Sequence, residues 1–212
     1  MTYTNTLADP RVAQALTRMF NAAAHDADQV VEDGATTAQE LADALAAIYM
    51  PISADGGKLL YNLVRATRPA TVVEFGTSYG ISTLYLAAAV RDNGAGRVVT
   101  TEMSKDKITA ARRTFAETGL DNLITVLEGD ARDTLAGLAD PPEFVLLDGW
   151  KNLCLPVLRL LEPRLAPGTL VVADDVNLDS LRPYLDYVRD PANGYQSVTF
   201  PVEDGMEISC RL

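Results

Sequence analysis

From Thr71 onward the chain alternates short β-branched or apolar runs with longer amphipathic segments, and this alternation restricts the fold more than any other feature. Short runs that are apolar throughout, each followed by a helix-length segment, are the pattern of a parallel sheet covered by helices. The expected strands are 71–75, 97–101, 123–127, 143–147 and 169–173, and the expected helices 82–91, 105–118, 131–136, 153–165 and 178–188. The tail breaks the alternation, because 195–200 and 206–211 flank Glu203-Asp204-Gly205 and read as two strands joined by a turn. The expected fold is α/β: a mostly parallel seven-stranded sheet with an antiparallel C-terminal strand and helices on both faces.

The first third reads as helical. Asp9-Pro10 starts a helix running to about Ala24, and Thr36-Thr37 with Gln39-Glu40 opens a second through Ile48, ended by Pro51. Asp55 is the expected N-cap of a third, ahead of Gly56-Gly57 and the apolar positions Leu59, Leu60, Leu63 and Val64, with Arg68-Pro69 as its stop. With 212 residues and 48% hydrophobic composition, the chain suits one core better than two. Residues 1–212 are expected to form a single domain, with 1–68 a helical cap and 69–212 the ligand-binding core.

Composition removes several classes of function. No stretch reaches the roughly 20 apolar residues of a spanning helix, and 1–10 lacks the basic end and apolar run of a leader, so a soluble, cytoplasmic protein without a membrane partner is expected. Only Cys154 and Cys210 are present, which fits reduced thiols rather than a disulfide scaffold. The net charge of −11, with no Lys/Arg-rich run, opposes nucleic acid. His25 is the sole histidine, in the polar stretch 21–33 remote from every motif below, so neither a Ser-His-Asp triad nor a His-rich zinc site is expected.

In open α/β sheets ligands sit beyond the carboxyl ends of the strands, so the residues closing each strand are the ones a ligand meets. The first ends in Glu74-Phe75-Gly76 and runs through Thr77-Ser78-Tyr79 to Gly80, glycines that let backbone approach a ligand at a helix start. The middle glycine of a pyrophosphate fingerprint is missing, and Glu74 repels phosphate while suiting an amine or sulfonium. Glu102 closes the second strand and can accept from both hydroxyls of a ribose. Asp130, ahead of Ala131, either takes an adenine amino group, or caps the next helix, or does both. The fourth strand delivers Asp148-Gly149-Trp150-Lys151 and the fifth Asp174-Asp175. Three carboxylates at one sheet edge either hold a hard, oxygen-seeking cation or serve in part as caps, with Asp148 and Asp175 each starting a helix.

These motifs resemble the class I S-adenosylmethionine-dependent methyltransferases of the cation-dependent catechol and caffeoyl-coenzyme A O-methyltransferase type, with the Rossmann-like fold of that class. The resemblance covers residues 50–176 and rests on Glu74 to Gly80, Glu102, Asp148 to Lys151, and Asp174-Asp175. It implies that Met50 and Ile52 flank cofactor and acceptor, that Gly76 and Gly80 belong to the cofactor-binding loop, that Glu74, Ser78 and Ser82 face the methionine portion of S-adenosylmethionine, and that Glu102 takes the ribose and Asp130-Ala131 the adenine. Asp148, which also borders the cofactor, would bind the cation with Asp174 and Asp175. Lys151 would be the general base and Trp150 an acceptor-side wall. The catechol enzyme has Asn at the position of Asp175, which admits Ca²⁺ or Mn²⁺ beside Mg²⁺, and a histidine at the position of Gly149. No acid near Val198 replaces its catechol-orienting glutamate.

The expected activity is transfer of a methyl group to a hydroxyl of a small, phenolic or catechol-like acceptor. A phenol of pKa ~10 is a poor nucleophile at neutral pH, so Lys151 must have its own pKa depressed from about 10.4 to act as base. The alternatives are metal-independent methylation of an amine or carboxylate, a cofactor-binding module without turnover, and a nicotinamide oxidoreductase, which the missing glycine disfavours. The likeness to the coenzyme A-ester enzymes also implies a homodimer.

Overall fold

The computed structural model describes residues 5–29 and 34–212. The polar start 1–10 and the stretch 21–33 therefore lie partly outside the described residues. The described residues form seven strands: β1 (Thr71–Phe75), β2 (Arg97–Glu102), β3 (Ile124–Glu128), β4 (Phe144–Leu147), β5 (Leu170–Ala173), β6 (Tyr195–Phe200) and β7 (Met206–Arg211). They form one sheet in the order β3-β2-β1-β4-β5-β7-β6. The first five are parallel, and β7 lies antiparallel between β5 and β6.

The described helices are α1 (Pro10–Ala23), α2 (Ala38–Ala44), α3 (Ala54–Thr67), α4 (Ile81–Asn93), α5 (Lys105–Thr118), α6 (Ala131–Thr134), α7 (Cys154–Leu161) and α8 (Arg182–Arg189). Successive strand residues point to opposite faces, which splits each apolar run between two cores. Val72, Val98, Phe144 and Leu146 pack with α1, α3, α4 and α5 on one face. Val73, Val145, Leu147 and Val171 pack with α6, α7 and α8 on the other. Burial on both faces explains why these strands read as continuous rather than alternating apolar runs.

Several boundaries moved for identifiable reasons. The N-cap of α3 is Ser53, whose hydroxyl accepts from Gly56 N–H at 3.0 Å; Asp55 lies in the first turn and pairs with Lys58. The two glycines that weaken this helix start allow close packing, since a Cβ on Gly57 would lie 2.3 Å from the Tyr85 ring of α4. The capping box of Thr37 and Glu40 opens α2 as expected, but the helix ends at Ala44 rather than Ile48. The carbonyls of Ala46 and Tyr49 accept instead from Tyr79 Oη and Ser78 Oγ. Pro163 turns the end of the expected 153–165 helix into a 3₁₀ turn at Glu162–Arg164, and another at Asp179–Leu181 delays α8 to Arg182. No helix among the described residues is long and apolar enough to cross a membrane.

Candidate active site

Between β1 and β4 the strand order changes direction, and the crevice at their carboxyl ends is where an open α/β sheet takes a ligand. A cavity of about 380 Å³ lies there. Of the residues singled out from sequence, Met50, Ile52, Gly76, Ser78, Ser82, Glu102, Ala131, Asp148, Trp150, Lys151 and Asp175 line it. Glu74, Gly80, Asp130 and Asp174 do not line it.

Gly76, at φ +104°, sits where an added Cβ would lie 2.7 Å from the backbone of Asp148, so its lack of a side chain lets the β1 and β4 loops touch. Gly80 serves packing instead. It starts α4 at φ +93°, and a Cβ there would meet the Phe115 ring of α5 at 2.5 Å. Three non-glycine residues of the cavity wall also have positive φ: Met50 (+45°), Ser78 (+47°) and Asp175 (+59°). Such conformations cost energy, and their gathering at one cavity is the distribution expected of a functional site.

Glu102 is built as an acceptor. One oxygen receives Ser78 N–H at 2.8 Å, and the other receives Met103 and Ser104 N–H, each at 2.8 Å. These bonds fix the carboxylate at the cavity wall and couple the β1 loop to the end of β2. Glu74, fully buried beneath the wall, accepts from Thr83 Oγ1 at 2.5 Å and Thr100 Oγ1 at 2.6 Å with one oxygen, while Oε1 has no partner among the described residues. Burial pushes its pKa up to about 7 against the hydroxyls of Ser82, Thr100 and Thr83 that favour the charged form. Asp130 caps α6 by accepting Arg132 N–H at 2.9 Å, and the Arg132 guanidinium grips the same carboxylate. The capping reading holds for Asp130, while it is Gly129 and Ala131 that reach the cavity.

Asp148, Asp174 and Asp175 present one carboxylate oxygen each, all within 4.8 Å of one another. Neither Asp148 nor Asp175 caps a helix: the turns that follow begin at Trp150 and Leu178, without side-chain caps. That removes the capping explanation for the cluster. Burial raises the pKa of Asp148, with Lys151 opposing and Asp175 and Glu203 adding to it. Burial, Asp148 and Asp175 push Asp174 up to about 8. Lys151 Nζ bridges the group, 2.8 Å from Asp148 Oδ1 and 2.9 Å from Asp175 Oδ2. Burial disfavours its ammonium, yet the two carboxylates outweigh burial and hold Lys151 above the ordinary lysine value. The depressed pKa expected of a base is therefore not found in this arrangement. The all-oxygen donor set, its crowding and its raised pKa values fit a hard divalent cation.

Four residues at the site were not singled out from sequence. Tyr49 and Tyr79 stack at 3.8 Å between ring centroids, fastening the segment after α2 over the β1 loop. Lys107 falls on the buried stripe of α5 with Ile108, Ala111 and Phe115, a lysine in an apolar period that the sequence does display. Glu203, in the β6–β7 turn at φ +51°, accepts Ser53 N–H at 2.7 Å and stands near enough to Asp148 to help raise its pKa. A single sequence has no signal for that approach across the sheet.

The arrangement defines a class: an open α/β fold whose cavity at the strand ends is bordered by an acidic, lysine-paired cluster. Residues 73–176 match a family model described as a methyltransferase domain. Catechol O-methyltransferase B of Danio rerio is 30% identical over 177 residues, covering 77% of this chain and 66% of that protein. Catechol O-methyltransferase of Bos taurus is 29% identical over 147 residues, 66% of this chain and 53% of that one. The matched stretch thus spans less than two thirds of the length of each. The solved structure of the O-methyltransferase TomG from Streptomyces achromogenes, in complex with SAM, shares the fold at a TM-score of 0.70 and 22% identity, covering 92% of this chain and 98% of that one. The likeness is thus to a methyltransferase domain over the β1–β5 core, and the relatives named are catechol O-methyltransferases.

Proposed function

We propose that this chain transfers a methyl group from S-adenosylmethionine to a hydroxyl of a small, phenolic acceptor, and that it does so with a divalent cation held by Asp148, Asp174 and Asp175. The observation that carries this reading is the acidic trio, of which Asp148 and Asp175 are free of capping duties, pair with Lys151 and line a cavity whose other wall is Glu102, with Asp174 buried behind them. Glu102 would take the ribose hydroxyls and Ser82 the methionine portion. Glu74, buried beneath that wall with Oε1 unpartnered among the described residues, would balance the ammonium that the cofactor carries at that end.

Met50, Ile52 and Trp150 would hold the acceptor ring against the cofactor, leaving displacement at the methyl carbon to depend on alignment. Lys151 would receive the acceptor's hydroxyl proton only as the neutral amine, after its ammonium has given up a proton. A divalent cation on the three aspartates would withdraw their negative charge from Lys151 and lower the pKa of a bound hydroxyl.

A second reading is favoured by the ion pairs themselves. Lys151 already satisfies Asp148 and Asp175, so the cluster could be a permanently lysine-compensated floor for metal-independent methylation of an amine or carboxylate. Calorimetric titration of Mg²⁺ into the complex with S-adenosylhomocysteine separates the two. The proposal expects stoichiometric uptake that Asp174→Asn weakens at least tenfold. No uptake by the wild-type complex, with Ca²⁺ and Mn²⁺ also silent, selects the second reading.

A further inference from the structure

Lys107 is a buried lysine with no counter-ion among the described residues. It is 3% exposed and lines the cavity; its backbone N–H donates to Ser104 Oγ, but its ammonium makes no hydrogen bond or ion pair with any described residue. Nζ lies over the face of Tyr79, 5.8 Å from the ring centroid. Burial lowers its pKa, against the pull of Glu102 and then Asp26. Neither acid is at liberty to come closer. Both oxygens of Glu102 are held by three backbone N–H groups, and Asp26 accepts Tyr49 and Met50 N–H, each at 2.9 Å.

A desolvated ammonium with three unused donors is costly unless a ligand supplies acceptors. An adenosine-type cofactor would supply them at this point of the wall. Glu102 can only accept, so a ribose diol bound there must donate both hydroxyl protons to it, which leaves the lone pairs of both hydroxyl oxygens unmet. We infer that Lys107 is a cofactor-binding residue whose ammonium donates to a ribose hydroxyl oxygen, closing a carboxylate–diol–ammonium clamp with Glu102. The clamp makes the cavity selective for a ribonucleoside over a deoxyribonucleoside, since removal of one hydroxyl leaves both the ammonium and the carboxylate short of a partner. Its place on α5, beside the Tyr49–Tyr79 stack, also ties nucleoside binding to the segment that covers the site.

This inference rests on the cofactor being an adenosine derivative, and its test separates the two ideas. Binding of S-adenosylhomocysteine and of its 2′-deoxy and 3′-deoxy forms is measured by calorimetry for wild type, Lys107→Met and Lys107→Gln, with thermal melts of each unliganded protein. Wild type should bind S-adenosylhomocysteine, and the variants should lose about ten- to hundred-fold, the range for a hydrogen bond to a charged group. Against one deoxy form the variants should lose less than threefold, because the contact is already gone. Unliganded Lys107→Met should melt no lower than wild type, since it keeps the apolar stem and removes a desolvated charge. Undiminished binding of S-adenosylhomocysteine by the variants overturns the clamp, as does an equal loss for all three ligands, which marks a packing role. If wild type binds none of the three, the cofactor reading itself fails and the clamp with it.

Discussion

Replacing Glu74 with glutamine should stabilise the unliganded protein in alkali and destabilise it in acid. Glu74 is fully buried, with its pKa pushed from 4.5 to about 7 chiefly by desolvation. A carboxyl whose folded pKa lies above its unfolded value contributes most below the unfolded pKa and progressively less as pH rises through the folded one. Between pH 5 and pH 8 the linkage relation gives a loss of about 2–3 kcal/mol from this residue alone. Glu74→Gln removes that dependence but places an amide N–H₂ where Oε1 has no partner, at a cost of about 1–2 kcal/mol. The variant should therefore be less stable than wild type by about 1 kcal/mol at pH 5 and more stable by about 1 kcal/mol at pH 8. Paired denaturant melts at the two pH values measure this, since charges elsewhere cancel in the difference. A stability difference that does not change with pH would refute the assignment of a strained, desolvated carboxyl. The same change should weaken S-adenosylhomocysteine binding at pH 8, separating stability from function at one residue.

Three further outcomes follow from packing and charge. Lys151→Met should slow methyl transfer about 10²–10⁴-fold while leaving S-adenosylhomocysteine affinity within about twofold; equal turnover would remove Lys151 from the chemistry. Gly149→Ala puts a Cβ 2.5 Å from the Phe75 ring and should cost about 1–3 kcal/mol in a denaturant melt, as overpacking does. Gly57→Ala meets Tyr85 at 2.3 Å and should cost a similar amount, with Tyr85→Leu in the same chain recovering most of it if the clash is the cause.

The sheet was legible because its strands are buried on both faces, so β1, β2, β4 and β5 announce themselves as apolar runs with helix-length segments between them. The strand-end acids were legible for the same reason, since a charged residue closing such a run has few structural uses. Conformational detail was not. The cap of α3 shifted to Ser53 because Asp55 found Lys58, and α2 stopped early because Tyr79 and Ser78 offered its later carbonyls better partners. Gly80 and Asp130 lie in the expected segments but are engaged by packing on Phe115 and by Arg132 rather than turned to the cavity. Charge coupling was least legible: the raised pKa of Lys151 depends on distances to Asp148 and Asp175 that bring together loops far apart in sequence. Lys107 was visible in the period of α5, but its meaning appears only when Glu102 and Asp26 are seen to be engaged elsewhere.

The most direct test of the central claim is transfer of a labelled methyl group from S-adenosylmethionine to a panel of catechols, assayed with strong chelator and again after Mg²⁺, Mn²⁺ or Ca²⁺ is restored. The expected result is O-methylated product that chelator abolishes and a divalent cation restores, with Asp174→Asn and Asp175→Asn impaired in the restoration. Undiminished O-methylation in chelator would contradict the role given to the three aspartates.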